Sequence, residues 1–215
     1  MMSIDEKNDK KETPGLDEII GSSKSMKLVF QRIKQAAANN INVLIVGESG
    51  TGKDLIAQAI HRYSEGANKP FIPINMGAMA RELVNSELFG HQKGAFTGAT
   101  ETKIGKFEQA GGGTIFLDEI STMEEATQIS LLRILETAKY QRIGGKRFLK
   151  SDARIIAASN ENLSELEDIS DSNLREDLFH RLSVFTIEAP PLRNRGTDVQ
   201  LLASYFLQQA SVEFD

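Results

Sequence analysis

With 215 residues, a formal net charge of −5 and a sequence pI near 5.4, the chain has room for one large domain, or one domain and part of another. Its 40% hydrophobic and 26% charged side chains are those of an ordinary soluble globular protein, and the acidic balance demands no basic face, so direct DNA binding is not expected of this segment. The absence of cysteine excludes a disulfide framework and any thiolate metal site, no apolar run approaches the roughly 18 residues of a membrane span, and residues 1–10 lack the apolar core of a signal peptide, so the expected location is cytoplasmic.

Residues 1–13 are charged and nearly devoid of apolar side chains, which predicts a disordered tail running to a boundary at Pro14-Gly15. Ser22 or Ser23 can cap a helix whose apolar face is Met26, Val29, Phe30, Ile33 and Ala37, ending at Asn39-Asn40. A strand at Val43–Val46 then enters the loop Gly47-Glu48-Ser49-Gly50-Thr51-Gly52-Lys53-Asp54, and Leu55, Ile56, Ala59, Ile60 and Tyr63 follow at helical spacing. A second short strand covers 71–74, with Pro73 pointing to an edge or irregular pairing and Asn75 just past its end. A helix is expected from Met79 to Phe89, an aperiodic stretch from Gly90 to Thr100, and a helical pattern from Ile104 to Ala110.

Three glycines precede the strand 114–117, and a helix around Ala126–Glu136 carries Ile129, Leu132 and Leu135 inward. Tyr140–Ile143, Arg154–Ala158 and Val184–Ile187 read as strands, with a short helix at 174–182 between the last two. Pro190-Pro191 end the pattern. Thr197-Asp198 then cap a final helix with Val199, Leu202, Tyr205 and Phe206 on one face, for which no partner is evident. Strands alternating with helices predict an α/β fold, a mostly parallel sheet flanked by helices.

Strand, glycine turn and helix are the setting a phosphate-binding loop requires. Glycines at 47, 50 and 52 let backbone N–H groups converge on one point, the helix N-terminus adds its dipole, and Lys53 reaches the β- and γ-phosphates as a point charge. Asp54 stands where a hydroxyl is usual; an acid there can bind magnesium, directly or through water, or repel the phosphates. The loop alone indicates nucleotide binding, and hydrolysis needs more. Asp118 and Glu119 end an apolar strand, which delivers both carboxylates to the sheet edge where the loop opens. Asp118 is then placed to hold Mg²⁺ through its water shell, and Glu119 to orient or deprotonate a water.

Asn160 follows the strand 154–158 and would reach the same edge, where it can hold water or sense a phosphate; taken alone, it reads better as a plain turn asparagine. Arg175 and Arg181 lie six residues apart. They read either as surface arginines paired with acids such as Glu176 and Asp177, or as an arginine finger, and spacing does not decide. His61, His91 and His180 have no ligand spacing, so no metal other than magnesium is expected. The segment Gly94-Ala95-Phe96-Thr97-Gly98-Ala99 sets one aromatic among small residues, as a buried anchor or a contact loop.

These residues together resemble the central AAA+ ATPase domain of bacterial sigma-54-dependent transcriptional activators, from about Leu16 to the end of the chain. The resemblance is carried by GESGTGKD at 47–54, ELFGHQKGAFTGA at 87–99, GGGTIFLDEI at 111–120, the stretch 154–160, REDLFHRL at 175–182 and PPLRNR at 190–195. The GAFTGA string is highly specific to that family; the phosphate loop is not.

The resemblance implies a P-loop ATPase that uses ATP and Mg²⁺ between subunits of a ring, usually a hexamer. Lys53 and Asp118 would hold the nucleotide and metal, Glu119 would activate water, Asn75 would pair with that glutamate, and Asn160 would act as sensor. Arg175 and Arg181 would face a neighbour's ATP, with Arg181 the first choice as finger. Phe96 and Thr97 would contact sigma-54 in its RNA polymerase holoenzyme, so that hydrolysis remodels the closed promoter complex. It also implies three parts: a disordered N-terminal tail at 1–15, the AAA+ domain at 16–190, and the start of a truncated helical lid at 191–215. Asp54 replaces the commoner Glu and Ser159 the commoner Thr. Two other readings are a motor acting directly on nucleic acid and a nucleotide-gated interaction module without turnover.

Overall fold

The computed structural model describes residues 14–160 and 172–213 of the chain. Of the expected tail at 1–15, residues 1–13 lie outside the described residues, and Gly15 already belongs to a strand. Gly15–Leu16 (β1) and Ile19–Ile20 (β2) form a small antiparallel pair ahead of α1 (Lys24–Ala37). Ser23 caps α1, its hydroxyl accepting from the Met26 N–H at 3.3 Å.

The centre is a five-stranded, wholly parallel sheet. Its strands are β3 (Val43–Val46), β4 (Phe71–Asn75), β7 (Thr114–Asp118), β10 (Arg154–Ser159) and β11 (Phe185–Glu188), in the order β11-β3-β10-β7-β4. Alternation along each strand splits the core into two layers. Leu44, Val46, Ile115, Leu117, Ile155 and Ala157 face one way, toward α3 (Arg81–Phe89), α5 (Glu125–Thr137) and α6 (Glu176–Leu182). Val43, Ile45, Phe116, Ile156 and Ala158 face the other, toward α1 and α2 (Lys53–Arg62). Strands buried on both faces explain why these runs are continuously apolar.

Both edges are guarded. Pro73 lies in the edge strand β4, where its missing N–H is tolerated. At the other edge Arg32 of α1 donates to the Thr186 carbonyl of β11 at 2.6 Å and lies over the Phe185 ring.

Several expected elements differ, among them the short helix expected at 174–182, which begins at Glu176. The helix expected from Met79 begins at Arg81. Lys103–Ile104 form a strand (β6) paired with Gly90–His91 (β5), so the helix α4 covers only Lys106–Ala110. Tyr140–Ile143 do not join the sheet: β8 (Lys139–Gln141) pairs antiparallel with β9 (Phe148–Lys150) around a turn containing Gly144-Gly145. The final helix α7 (Asp198–Glu213) does have a partner at its first turn. Asp198 is fully buried and its Oδ1 accepts from the Ser22 N–H at 2.8 Å, the Ser23 N–H at 3.0 Å and the Ser22 hydroxyl at 3.1 Å. Burial alone would raise this carboxyl; the donors from Ser23 and Ser22 outweigh it and hold the group below the usual carboxylate range. Further along α7, Phe206 and Leu207 are exposed. Among the described residues no helix is long and apolar enough to cross a membrane.

Candidate functional site

The strands deliver their C-terminal ends to one edge of the sheet, where the loop 47–54, Asn75, Asp118, Glu119 and Asn160 gather. β3 ends at Val46 and the loop 47–52 follows, turning into α2 at Gly52, whose φ of 86° lies in the left-handed region that favours glycine. Gly47 is required by close approach: a Cβ there would lie 2.6 Å from the Ala189 carbonyl oxygen. The loop is braced from inside. The Glu48 carbonyl accepts from the Thr51 hydroxyl at 2.8 Å and from Lys53 Nζ at 3.0 Å, while Nζ also donates to the Gly47 carbonyl at 2.8 Å. Lys53 is buried. Desolvation depresses its proton affinity, and Asp118, Glu119 and Asp54 pull it back up.

β7 carries Asp118 to this edge beside Asn75, its register partner on β4. Burial pushes the Asp118 carboxyl up, while the Glu119 N–H, 3.0 Å from Oδ1, and the Lys53 ammonium pull it down. The chain then turns at Glu119, which holds φ 57° and ψ 47°, a left-handed conformation costly for a non-glycine residue. The turn brings its carboxylate beside Gly77, where an added Cβ would lie 2.0 Å from Glu119 Oε2 and 3.5 Å from Asn75 Oδ1. Asn75 Oδ1 accepts from the Ala78 N–H at 2.9 Å, which fixes its amide. Asp118, Glu119, Asn75 and Lys53 are thus brought together.

Asn160 reaches the same edge: Ser159 is register partner to Val46, its carbonyl accepts from the Gly47 N–H at 3.2 Å, and Asn160 lines a groove of about 640 Å³ with Gly47 and Glu48. Arg175 and Arg181 stand apart from the phosphate loop. Arg175 precedes α6 and pairs with Glu125 at 2.7 Å and Asp177 at 2.9 Å. Arg181 is exposed and 3.5 Å from Glu136, and its carbonyl accepts from Asn42 Nδ2, at the opposite end of β3 from the loop.

The segment 94–99 is neither sunk nor free. Its base is closed by the Gly94 N–H donating to the Ala99 carbonyl at 2.8 Å, Ala99 is buried, and Phe96 is 41% exposed with its ring edge-on to His91 at 5.0 Å. His91 is anchored through Nδ1, 2.7 Å from the Ser86 hydroxyl. The turn of the β8–β9 hairpin leans on the loop, with Gly144 against Ala95.

Two site residues escaped the sequence reading. Arg193 pairs bidentately with Glu48 of the loop, and buried Arg195 donates to the carbonyls of Thr51 and Pro190. The string PPLRNR offered them, but nothing in it names their partners. Gln128 was also missed. Its amide donates to the carbonyls of Met123 and Asn173 and accepts from the Arg175 N–H, fixing the start of α6 on α5.

Asp118, Asp54 and Glu119 all act electrostatically on Lys53, yet among the described residues no three acids or histidines form a cluster that could by itself hold a metal. Magnesium takes one or two carboxylates and completes its shell with water and phosphate. Asp118, and Asp54 at the first turn of α2, are the residues that fit it.

Residues 19–188 match the model of the sigma-54 interaction domain. The chain belongs to this family. It is 50% identical over 196 residues to the DNA-binding transcriptional regulator NtrC of Escherichia coli K12, covering 91% of this chain and 41% of that protein. It is 47% identical over 195 residues to the nitrogen fixation protein VnfA of Azotobacter vinelandii, covering 91% and 37%. The chain therefore spans about two fifths of the length of the curated relatives it matches. NtrX from Brucella abortus, solved in complex with ATP, superposes with a TM-score of 0.81 at 38% identity over 91% of this chain and 44% of that one. A P-loop NTPase domain of a sigma-54 activator from E. coli, at 19% identity and TM-score 0.54, shares the fold. The sigma-54 interaction domain is an AAA+ P-loop NTPase, and the parallel five-stranded sheet flanked by helices has that fold.

Proposed function

We propose that the chain is the ATP-hydrolysing domain of a sigma-54-dependent transcriptional activator. The observation that carries this reading is the meeting of Lys53, Asp118, Glu119 and Asn75 at one sheet edge, on the loop's open side. Backbone N–H groups of residues 47–53 and the Lys53 ammonium hold the β- and γ-phosphates, and Asp118 and Asp54 would hold Mg²⁺, which when bound would supply neutralisation of phosphate charge. Glu119 takes a proton from water as its oxygen bonds to the γ-phosphorus and the bond to the β–γ bridging oxygen breaks. The products are ADP and inorganic phosphate. Asn75 positions the glutamate, and Asn160 contacts the γ-phosphate side.

Arg175 and Arg181 serve a neighbouring copy in a hexameric ring, Arg181 as finger; their distance from this chain's own loop supports that assignment. The loop 94–99 presents Phe96 and Thr97 to sigma-54 in the polymerase holoenzyme, and hydrolysis drives remodelling of the closed complex. The 41% exposure of Phe96 supports a contact role. Residues 191–213 open a helical lid.

The test is a pull-down of sigma-54 with the chain in ADP–aluminium fluoride, beside ATPase assays. Retention of sigma-54 by the unsubstituted chain and its loss in Phe96→Ala is expected, with ATP binding intact in both. Retention by Phe96→Ala removes the loop from the contact. Unaltered turnover in Glu119→Ala removes the glutamate from its role.

A further inference from the structure

One buried guanidinium ties the phosphate loop to the start of α7. Arg195 is 8% exposed, its Nη2 donates to the Thr51 carbonyl at 2.6 Å and its Nε to the Pro190 carbonyl at 2.8 Å. Its own carbonyl accepts from the Asp198 N–H at 3.0 Å, and Asp198 in turn holds Ser22 and Ser23 at the start of α1. A continuous chain of hydrogen bonds therefore runs from the loop through Arg195 to the first turns of α7 and α1.

The direction of the Thr51 bond matters. A trans peptide is planar, with its C=O and N–H pointing opposite ways. A carbonyl drawn toward Arg195 therefore aims the Gly52 N–H in the opposite direction. Gly52 caps α2, so that N–H is one of the donors a helix start offers to an anion. Thr51 is flanked by Gly50 and Gly52, both at positive φ, where the backbone has more freedom than elsewhere in the loop. The internal braces reach the Thr51 hydroxyl and N–H, and Arg195, a charged donor whose stem is packed, holds the Thr51 carbonyl from outside.

We propose that Arg195 is a positioning residue for nucleotide binding: it sets the Thr51–Gly52 peptide so that the Gly52 N–H faces a phosphate, and it passes displacement of that peptide to the first turn of α7. This deepens, and rests on, the nucleotide-binding reading above. A guanidinium that merely filled space would do neither, and an apolar side chain of similar length would replace it.

The chain has no cysteine, so Gln208→Cys on the exposed face of α7 gives a single site for an environment-sensitive fluorophore. ATP is titrated into the labelled chain with Arg195, with Arg195→Lys and with Arg195→Met. With Arg195 in place, ATP should bind and change the label's emission. Arg195→Lys keeps the charge but not the fork; it should bind ATP about tenfold more weakly, as expected for loss of one charge-assisted bond. At saturating ATP its label response should be lost. Arg195→Met should bind more weakly still, and where it does not fold, Arg195→Lys alone carries the test. ATP affinity or label response equal to the unsubstituted chain in Arg195→Lys overturns the proposal. Tight ATP binding with no label response in the unsubstituted chain overturns the transmission and leaves the nucleotide reading standing. No ATP uptake by the unsubstituted chain overturns both.

Discussion

Asn75 and Asp118 are register partners on neighbouring parallel strands, and the left-handed turn at Glu119 folds the next carboxylate back beside the asparagine. That turn exacts a conformational penalty at a position whose side chain has a use. Glu119→Gly removes the penalty and should raise folding stability by about 1 kcal/mol while turnover falls to background. Denaturant unfolding and phosphate release check the two halves. A destabilised Glu119→Gly chain would show that the turn is not strained.

Gly77 tests the same corner from the opposite side. A methyl there clashes with the far end of the Glu119 side chain, which can swing away, and makes only ordinary contact with Asn75 Oδ1. Gly77→Ala should therefore change stability by less than about 0.5 kcal/mol and leave ATP affinity intact. Turnover should drop by tenfold or more, because the displaced carboxylate no longer addresses the water. Isothermal titration paired with steady-state kinetics separates binding from turnover.

His61 makes a prediction remote from the site. It is buried at the end of α2, its Nδ1 2.9 Å from the Thr114 hydroxyl and its ring against Phe71. Desolvation chiefly, and the Arg154 charge secondarily, depress its proton affinity below the ordinary 6.5, against a hydrogen bond with the Lys69 backbone. As pH falls, the unfolded chain takes up this proton first. Stability should thus be full above about pH 6.5 and decline below it until the folded histidine itself protonates. Urea midpoints from pH 8 to 5 should show that slope, and His61→Gln should flatten it.

Gly144 governs the loop 94–99 from the neighbouring hairpin. It holds φ 71°, and a Cβ would lie 2.8 Å from that of Ala95. Gly144→Ala should displace the loop, reduce sigma-54 retention severalfold and leave ATP affinity unchanged. Loss of ATP binding instead would mean the substitution disturbs the whole domain.

The phosphate loop and the acid pair were legible in sequence because their signals are local. Glycine spacing, an apolar strand and a following helix are read within a dozen residues, and Asp118-Glu119 end a run whose burial is plain from Thr114 onward. The sheet was legible for the same reason, since strands covered on both faces are continuously apolar. Tyr140–Ile143 misled because a short β-prone run does not say which sheet it joins; the Gly144-Gly145 turn was the available clue to a hairpin. Ile104 fitted a helical period, yet its backbone pairs with β5 through contacts that periodicity does not encode. Arg195 was the least legible. Its partners are main-chain oxygens, one of them 144 positions away, and a carbonyl leaves no trace in side-chain identity. Asp198 was read as capping its own helix, whereas its carboxylate serves the start of another.

Arg32 on the outer carbonyl of β11 and Pro73 within β4 have a bearing on crowding. Copies at high local concentration find no ready margin on the five-stranded sheet on which to lay a further strand, which disfavours their fusing into one continuous ribbon.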